Sequence, residues 1–319
     1  PYMLEDMPLH LSPSIGIAVY PDDGEDPSTL IKNADAAMYL AKEKGRNNYQ
    51  FYTPVLNART LDRLKLEYDL RSALEQGQFE LHYQPQIIAG SKQLYGAEAL
   101  VRWRHPERGL VPPNHFIPLA EEIGLIIPLG AWVIAEAARQ VKCWHQAGLT
   151  NLVVSVNISA LQFHQAGFLA EVQRLMAQAG TSPSSIELEL TESMLMNDME
   201  MSIQVLQAFR SLGYRIAIDD FGTGFSCLNY LRRLPANILK IDQSFVRDMQ
   251  SDEASLAIVS SIIRLAESLG METIAEGVET ADDYALLASQ GCRLMQGYYF
   301  SKPLPPAQFE TWLERWGGI

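Results

Sequence analysis

From residue 77 onward, short apolar runs alternate with amphipathic stretches at a repeat of roughly 30 residues, the length of one strand-helix unit. The runs Phe79–Gln84, Leu94–Trp103, Leu152–Ile158, Ile186–Leu190, Arg215–Asp219, Ile238–Ile241, Thr273–Ala275 and Arg293–Gln296 read as strands. Most are separated by helical patterns, such as Glu253–Leu269, with Leu256, Val259, Ile263 and Ala266 on one face and Gly270 as the stop. Such alternation predicts an α/β fold, a closed (β/α)8 barrel. The first two strands are joined only by Ala89-Gly90-Ser91-Lys92, too short for a helix, so this pair should depart from the regular pattern. Ahead of the barrel, Asn57 to Gln76 carries Leu61, Leu64, Tyr68, Leu70 and Leu74 at helical spacing, and Gly77 ends the run. The first ~50 residues hold a short strand (Ser14 to Val19), a turn and one amphipathic helix (Leu30 to Lys44), too little for a stable domain of their own.

Polar residues interrupt the apolar runs at or just past their ends: Glu98, Asn157, Glu189, Asp219 with Asp220, Lys240 and Glu276. A barrel gathers the C-terminal ends of its strands around one mouth, so these residues should meet. In Ile186-Glu187-Leu188-Glu189-Leu190 the alternation sends both glutamates to one face. Adjacent Asp219 and Asp220 stay ionised together only with cations nearby, and Asp219 is placed to bridge two metals. Oxygen donors plus one lysine are the equipment of a two-metal phosphodiester hydrolase, suited to Mg²⁺ or Mn²⁺ without distinguishing them. Lys240, inside an apolar run, needs acidic partners. It is either a structural ion pair or a positive charge that orients the attacking water, and Asp242 is a candidate to hold it.

A net charge of −13 argues against a broad DNA, RNA or anionic-membrane surface, and leaves a small anionic substrate held by local cations. Cys143, Cys227 and Cys292 form no CxxC pair. They fit a reducing cytoplasm and read as packing residues. No apolar run reaches the ~18 residues of a membrane span. The start at Pro1 without an initiator Met reads as a fragment, so an upstream sensor or membrane anchor is expected to be missing. HExxH, GxSxG and a complete dinucleotide fingerprint are absent, which disfavours zinc, nucleophilic-serine and NAD chemistry.

Ordered segments carry a specific resemblance. Tyr83-Gln84-Pro85, Glu98-Ala99-Leu100-Val101-Arg102-Trp103, Val156-Asn157-Ile158-Ser159, Glu189-Leu190-Thr191-Glu192-Ser193, Asp219-Asp220-Phe221-Gly222-Thr223-Gly224, Lys240-Ile241-Asp242, Ala275-Glu276-Gly277-Val278-Glu279 and Met295-Gln296-Gly297-Tyr298 resemble the EAL-family cyclic di-GMP phosphodiesterases. Ser14-Ile15-Gly16, Ala34-Asp35-Ala36-Ala37-Met38-Tyr39 and Lys44-Gly45-Arg46-Asn47 resemble the closing segment of a GGDEF diguanylate cyclase domain, without its signature loop. The implied division is a GGDEF remnant at 1–52, a linker helix at 53–76 and an EAL barrel at 77–319. The implied fold is a modified TIM barrel with one antiparallel strand. The implied activity is metal-dependent opening of cyclic di-GMP to linear pGpG, with a non-catalytic cyclic di-GMP receptor as the alternative.

The resemblance further implies that Glu98, Asn157, Glu189 and Asp219 hold one Mg²⁺ or Mn²⁺, and that Asp219 and Asp220 share a second. Lys240 and Glu276 would handle the nucleophilic water, with Glu276 a general base or a ligand acting through water. Gln84, Arg102 and Gln296 would contact substrate. Glu192, together with Asp242, would steady the loop after Asp220, which the family ties to metal binding and to a homodimer through the barrel. Phe225, Cys227 and Asn229 depart from the family's usual Tyr, Ser and Ser in that loop.

Overall fold

The computed structural model describes residues 2–4, 7–9, 12–44, 47–222 and 231–317. The chain forms two compact units, Pro1–Ser72 and Ala73–Ile319. The first contains the antiparallel ribbon β1 (Tyr2–Leu4) and β2 (Met7–Leu9), and a parallel pair, β3 (Ile15–Ile17) with β4 (Tyr49–Phe51). Helix α1 (Pro27–Glu43) starts where Asp26 accepts a bond from the Thr29 N–H, and it buries Ala36, Ala37 and Ala41. Helix α2 (Pro54–Ala73) begins three residues before the sequence pattern predicts, because Pro54 suits a first helical turn. Ile15, Tyr49 and Phe51 remain exposed on the two-stranded sheet.

In the second unit the strands are β5 (Phe79–Ile88), β6 (Leu94–His105), β7 (Gly109–Val111), β8 (Val153–Asn157), β9 (Ile186–Thr191), β10 (Arg215–Phe221), β11 (Ile238–Ile241), β12 (Glu272–Ala275) and β13 (Leu294–Gln296). They pair in the order β5-β13-β12-β11-β10-β9-β8-β6, and β5 also pairs with β6, so eight strands close into a barrel. β5 is antiparallel to both neighbours and the remaining barrel pairs are parallel, as the short β5–β6 connection predicts. β7 is a hairpin extension of β6, too short to show as an apolar run in the sequence.

Strand parity sorts the side chains. Val154, Val156, Leu188, Leu190, Ile216, Ile218, Leu239 and Ile241 face outward into one buried cluster with helices such as α4 (Ile126–Gln146) and α10 (Glu253–Ser268). Fully burying such a side chain contributes about 1.5–3 kcal/mol. The inward residues fall into two zones. At the N-terminal ends of the parallel strands, Ala217, Ile238, Ile274 and Leu294 pack together with Ile88 and Tyr95. Two residues further along those strands stand Asp219, Lys240, Glu276 and Gln296. A one-residue slip would turn this entire inward set into the helix layer, so the apolar outer face fixes the register.

The described cysteines divide. Cys292 is buried as expected, whereas Cys143 is exposed on α4 and does not pack, because α4 turns that position outward. Thr223, Gly224, Phe225, Cys227 and Asn229 lie outside the described residues. None of the described helices is long and apolar enough to cross a membrane.

Candidate active site at the barrel mouth

Register brings the sequence-predicted residues together. Asn157 lies opposite Glu189 across β8 and β9, and Glu98 lies opposite both Ser155 and Gln84. The centre of the cluster is Lys240, which is 1% exposed. Its Nζ stands 2.6 Å from Glu276, 2.8 Å from Glu189, 3.3 Å from Asp219 and 3.9 Å from Glu98. Those four carboxylates raise the lysine pKa well above its usual value, against burial, which acts to lower it.

One ammonium does not neutralise so many acids. Burial raises the pKa of Glu276 to about 8, with Asp219 and Glu98 adding repulsion and Lys240 opposing. Burial likewise holds Glu189 well above the carboxylate range. Asp220 is raised by burial and then by its neighbour Asp219. Glu98 moves the other way despite burial, because Lys240 and hydrogen bonds from Gln296 and Asn157 favour its ionised form. Asn157 Nδ2 donates to Glu98 Oε1 at 2.7 Å, and Gln296 Nε2 donates to Glu98 Oε2 at 2.5 Å.

The backbone at the end of β10 is irregular. Its register with β11 shifts between Ile218 and Phe221, and Asp220 adopts φ 53°, a left-handed conformation that Asp tolerates better than most residues. Such conformations cost about 1–3 kcal/mol and concentrate at functional sites. The bulge lets two consecutive residues, Asp219 and Asp220, escape strict alternation. Gly222 follows at φ 97°, and its N–H donates to Glu192 Oε2 at 3.3 Å, so Glu192 reaches the first turn of the loop.

Asp242 is not among the partners of Lys240. β11 ends at Ile241, and Asp242 becomes the cap of α9 (Gln243–Asp248), accepting from the Ser244 N–H at 2.9 Å. Gln84 accepts from Gln296 at 3.1 Å and donates to the Ser301 carbonyl. Arg102, half-buried, lines a cavity of about 310 Å³ with Asn157, Ser159, Gln162 and the apolar Leu100 and Ile117. Three residues beneath the site had drawn no functional reading: Gln86, Ser155 and Glu187, each fully buried. Only the inward parity of Glu187 was legible beforehand.

Among the described residues, no three acids or histidines are drawn together as a closed metal cage. The carboxylates converge on the Lys240 ammonium instead. The chemistry of the donors nonetheless fits a hard divalent cation. They are carboxylate and amide oxygens, several carry raised pKa values that a nearby cation would reverse, and the buried Glu189 Oε1 has no hydrogen-bond partner.

Comparison with known proteins agrees with this architecture. Residues 67–303 match the EAL domain family, and residues 1–48 match the family described as diguanylate cyclase, GGDEF domain. The chain is 44% identical over 308 residues to the bifunctional diguanylate cyclase/cyclic di-GMP phosphodiesterase MucR of Pseudomonas aeruginosa, covering 97% of this chain and 45% of that protein. It is 42% identical over 316 residues to the cyclic di-GMP phosphodiesterase PdeR of Escherichia coli, covering 99% of this chain and 48% of that protein. The chain thus spans less than half the length of these curated relatives. The solved structure of the PaMucR phosphodiesterase in complex with c-di-GMP superposes with a TM-score of 0.75 at 44% identity, covering 77% of this chain and 99% of that one. An eight-stranded barrel with one reversed strand, a carboxylate cluster at its mouth and these matches together place the chain in the EAL domain family, with a GGDEF-family fragment at its N-terminus.

Proposed function

We propose that the barrel hydrolyses cyclic di-GMP to linear pGpG. The observation that carries this reading is the buried Lys240 ringed by Glu98, Glu189, Asp219 and Glu276 at the mouth of an EAL-family barrel. Glu98, Asn157, Glu189, Asp219 and Asp220 are the residues that would hold Mg²⁺ or Mn²⁺, two ions per site. Bound divalent cations supply charge neutralisation at the phosphodiester and acidify water.

The protein's own residues supply the rest. Glu276 in its ionised form, which bound divalent cations would favour by reversing its raised pKa, would accept a proton from the attacking water. The Lys240 ammonium, 2.6 Å away, holds that carboxylate in place and presents positive charge where negative charge grows on the phosphoryl oxygens. Attack in line on one phosphorus breaks its bond to the 3′-oxygen, opening the ring. Arg102 would meet substrate phosphate, and the cavity beside it, lined by Leu100, Ile117 and Asn157, would take a base. Gln84 and Gln296, on the adjacent strands β5 and β13, would contact substrate. Glu192 steadies the loop after Asp220.

Residues 1–52 read as a GGDEF remnant, 53–76 as a linker helix and 77–319 as the catalytic barrel. A cytoplasmic homodimer through the barrel, governed by an upstream sensor, completes the proposal; light scattering of the purified chain tests the dimer. Catalysis is tested by incubating the chain with cyclic di-GMP and Mg²⁺, Mn²⁺ or chelator, and separating products by chromatography. Metal-dependent pGpG is the expected result. Tight, metal-independent binding without turnover would overturn it in favour of a receptor.

A further inference from the structure

We infer that Gln86 and Ser155 are positioning residues, which fix the orientation of Glu98 through a buried chain of hydrogen bonds beneath the site. The inference rests on the phosphodiesterase reading above. Gln86 and Ser155 lie in the inward layer of β5 and β8, both with no exposed surface. Gln86 Nε2 donates to Gln296 Oε1 at 3.1 Å and to Ser155 Oγ at 3.4 Å. Ser155 Oγ in turn donates to Glu187 Oε1 at 3.1 Å, and the second oxygen of Glu187 accepts from Arg215 Nε at 3.3 Å.

The direction of every donor in this chain is determined. Glu187 accepts from both sides, so the Ser155 hydroxyl proton points down to it and an oxygen lone pair is left for Gln86. Gln86 must then present its NH₂ to both Ser155 and Gln296. The Gln86 Oε1 has no hydrogen-bond partner, and a Cβ on residue 96 would stand 3.0 Å from it and 2.8 Å from the Val153 carbonyl oxygen, so Gly96 leaves room for both. Reversing the Gln86 amide would set two carbonyl oxygens against each other. With its Oε1 held by Gln86, Gln296 can only offer its NH₂ upward, to Glu98 Oε2 at 2.5 Å and Gln84 Oε1 at 3.1 Å. Asn157 fixes the other oxygen of Glu98. The carboxylate plane of Glu98 is thus referred, through Gln296, Gln86 and Ser155, to an ion pair on the far side of the barrel interior. Partners one hydrogen bond removed from a ligand, as Gln296 is here, typically change metal affinity or turnover about 10–100-fold when removed, and Gln86 and Ser155, two and three bonds removed, should act at the low end of that range.

The test uses the full chain with Gln86→Met, which keeps length and volume but cannot donate, and Ser155→Ala, which cuts the chain one link lower. Mn²⁺ affinity is measured by calorimetry, kcat and KM with cyclic di-GMP by chromatography, and the unfolding midpoint in chelator. The expected result for Gln86→Met is Mn²⁺ binding weakened about three- to tenfold and kcat lowered about tenfold, the low end of the range for a direct partner. KM should change by less than about threefold, since the altered carboxylate sits on the reacting centre rather than on the remote parts of the substrate. Ser155→Ala shifts both quantities in the same direction by less, and carries the test alone if Gln86→Met does not fold. Wild-type Mn²⁺ affinity and kcat in the folded variants would overturn the inference, as would a lowered midpoint with affinity and kcat intact, which marks a merely structural role. A wild-type chain that neither binds Mn²⁺ nor turns over substrate would overturn the phosphodiesterase reading itself.

Discussion

The two ends of the barrel interior are built by the same strands with the same inward parity, yet they are opposites. At the N-terminal end Ala217, Ile238, Ile274 and Leu294 fill the space, and Arg215 is shared between Glu187 and Glu272. Two residues along, at the mouth, Lys240 alone faces four acids. One end satisfies its charges and packs its volume. The other keeps an excess of acids that a proton or a bound cation relieves, so stability and chemistry are separated by one pleat of each strand.

The sharpest way to break that separation is to cross it. Glu98→Ala should lower kcat by about 10²–10³-fold, the range for losing a group that stabilises transition-state charge, because Glu98 would hold the cation that supplies that charge, with the unfolding midpoint in chelator near the wild-type value. A large midpoint loss would show that the mouth is structural. Lys240→Met is the exception expected among mouth residues. Removing the ammonium that contacts all four acids leaves them unpaired, costing about 3–5 kcal/mol near pH 8 by denaturant titration in chelator. The cost should shrink near pH 5, where Glu276 is already protonated.

Ile274→Ala tests the other end. It should cost about 2–5 kcal/mol of stability while kcat at low temperature stays within about threefold of wild type. The pH dependence of the unmutated chain in chelator sharpens the comparison further. Glu276 has its native pKa raised from 4.5 to about 8, so between those values the native state keeps a proton that the unfolded state has released. Its contribution to stability is therefore full below about pH 4.5 and is lost as pH rises toward 8. The unfolding midpoint should fall across that window, and added Mn²⁺ should flatten the fall. The smallest effect belongs to Glu192→Gln, which weakens the acceptor for the Gly222 N–H and should cost about 1 kcal/mol.

Much of this site was legible in the sequence because strand alternation is local. Glu187-Leu188-Glu189 announces its inward face without reference to any other strand, and the roughly 30-residue spacing places each such face in one barrel. Asp242 was misread for the complementary reason. Alternation was extended one residue past Ile241, where Asp followed two positions later by Ser already signals a helix cap. The buried hydrogen-bond chain was invisible because Gln86, Ser155 and Gln296 are brought together by register between distant segments, not by any local pattern. The β10 bulge is of the same kind: Asp219-Asp220 is present in the sequence, but the left-handed turn that separates their directions arises from pairing with β11.

The reversed strand β5 bears on the order in which this molecule can be made. It closes the barrel by pairing with β13, so the first and last strands of the domain meet. Gln84 and Glu98 leave the ribosome some two hundred residues before Gln296, with which both are hydrogen-bonded. Such distant contacts fold slowly, because a long loop must close before the contact compensates for it. A nascent chain that stops short of β13 carries all five acids of the mouth, Glu98, Glu189, Asp219, Asp220 and Glu276, yet lacks the amide that aligns Glu98. Completion of the site is therefore coupled to synthesis of the last barrel strand.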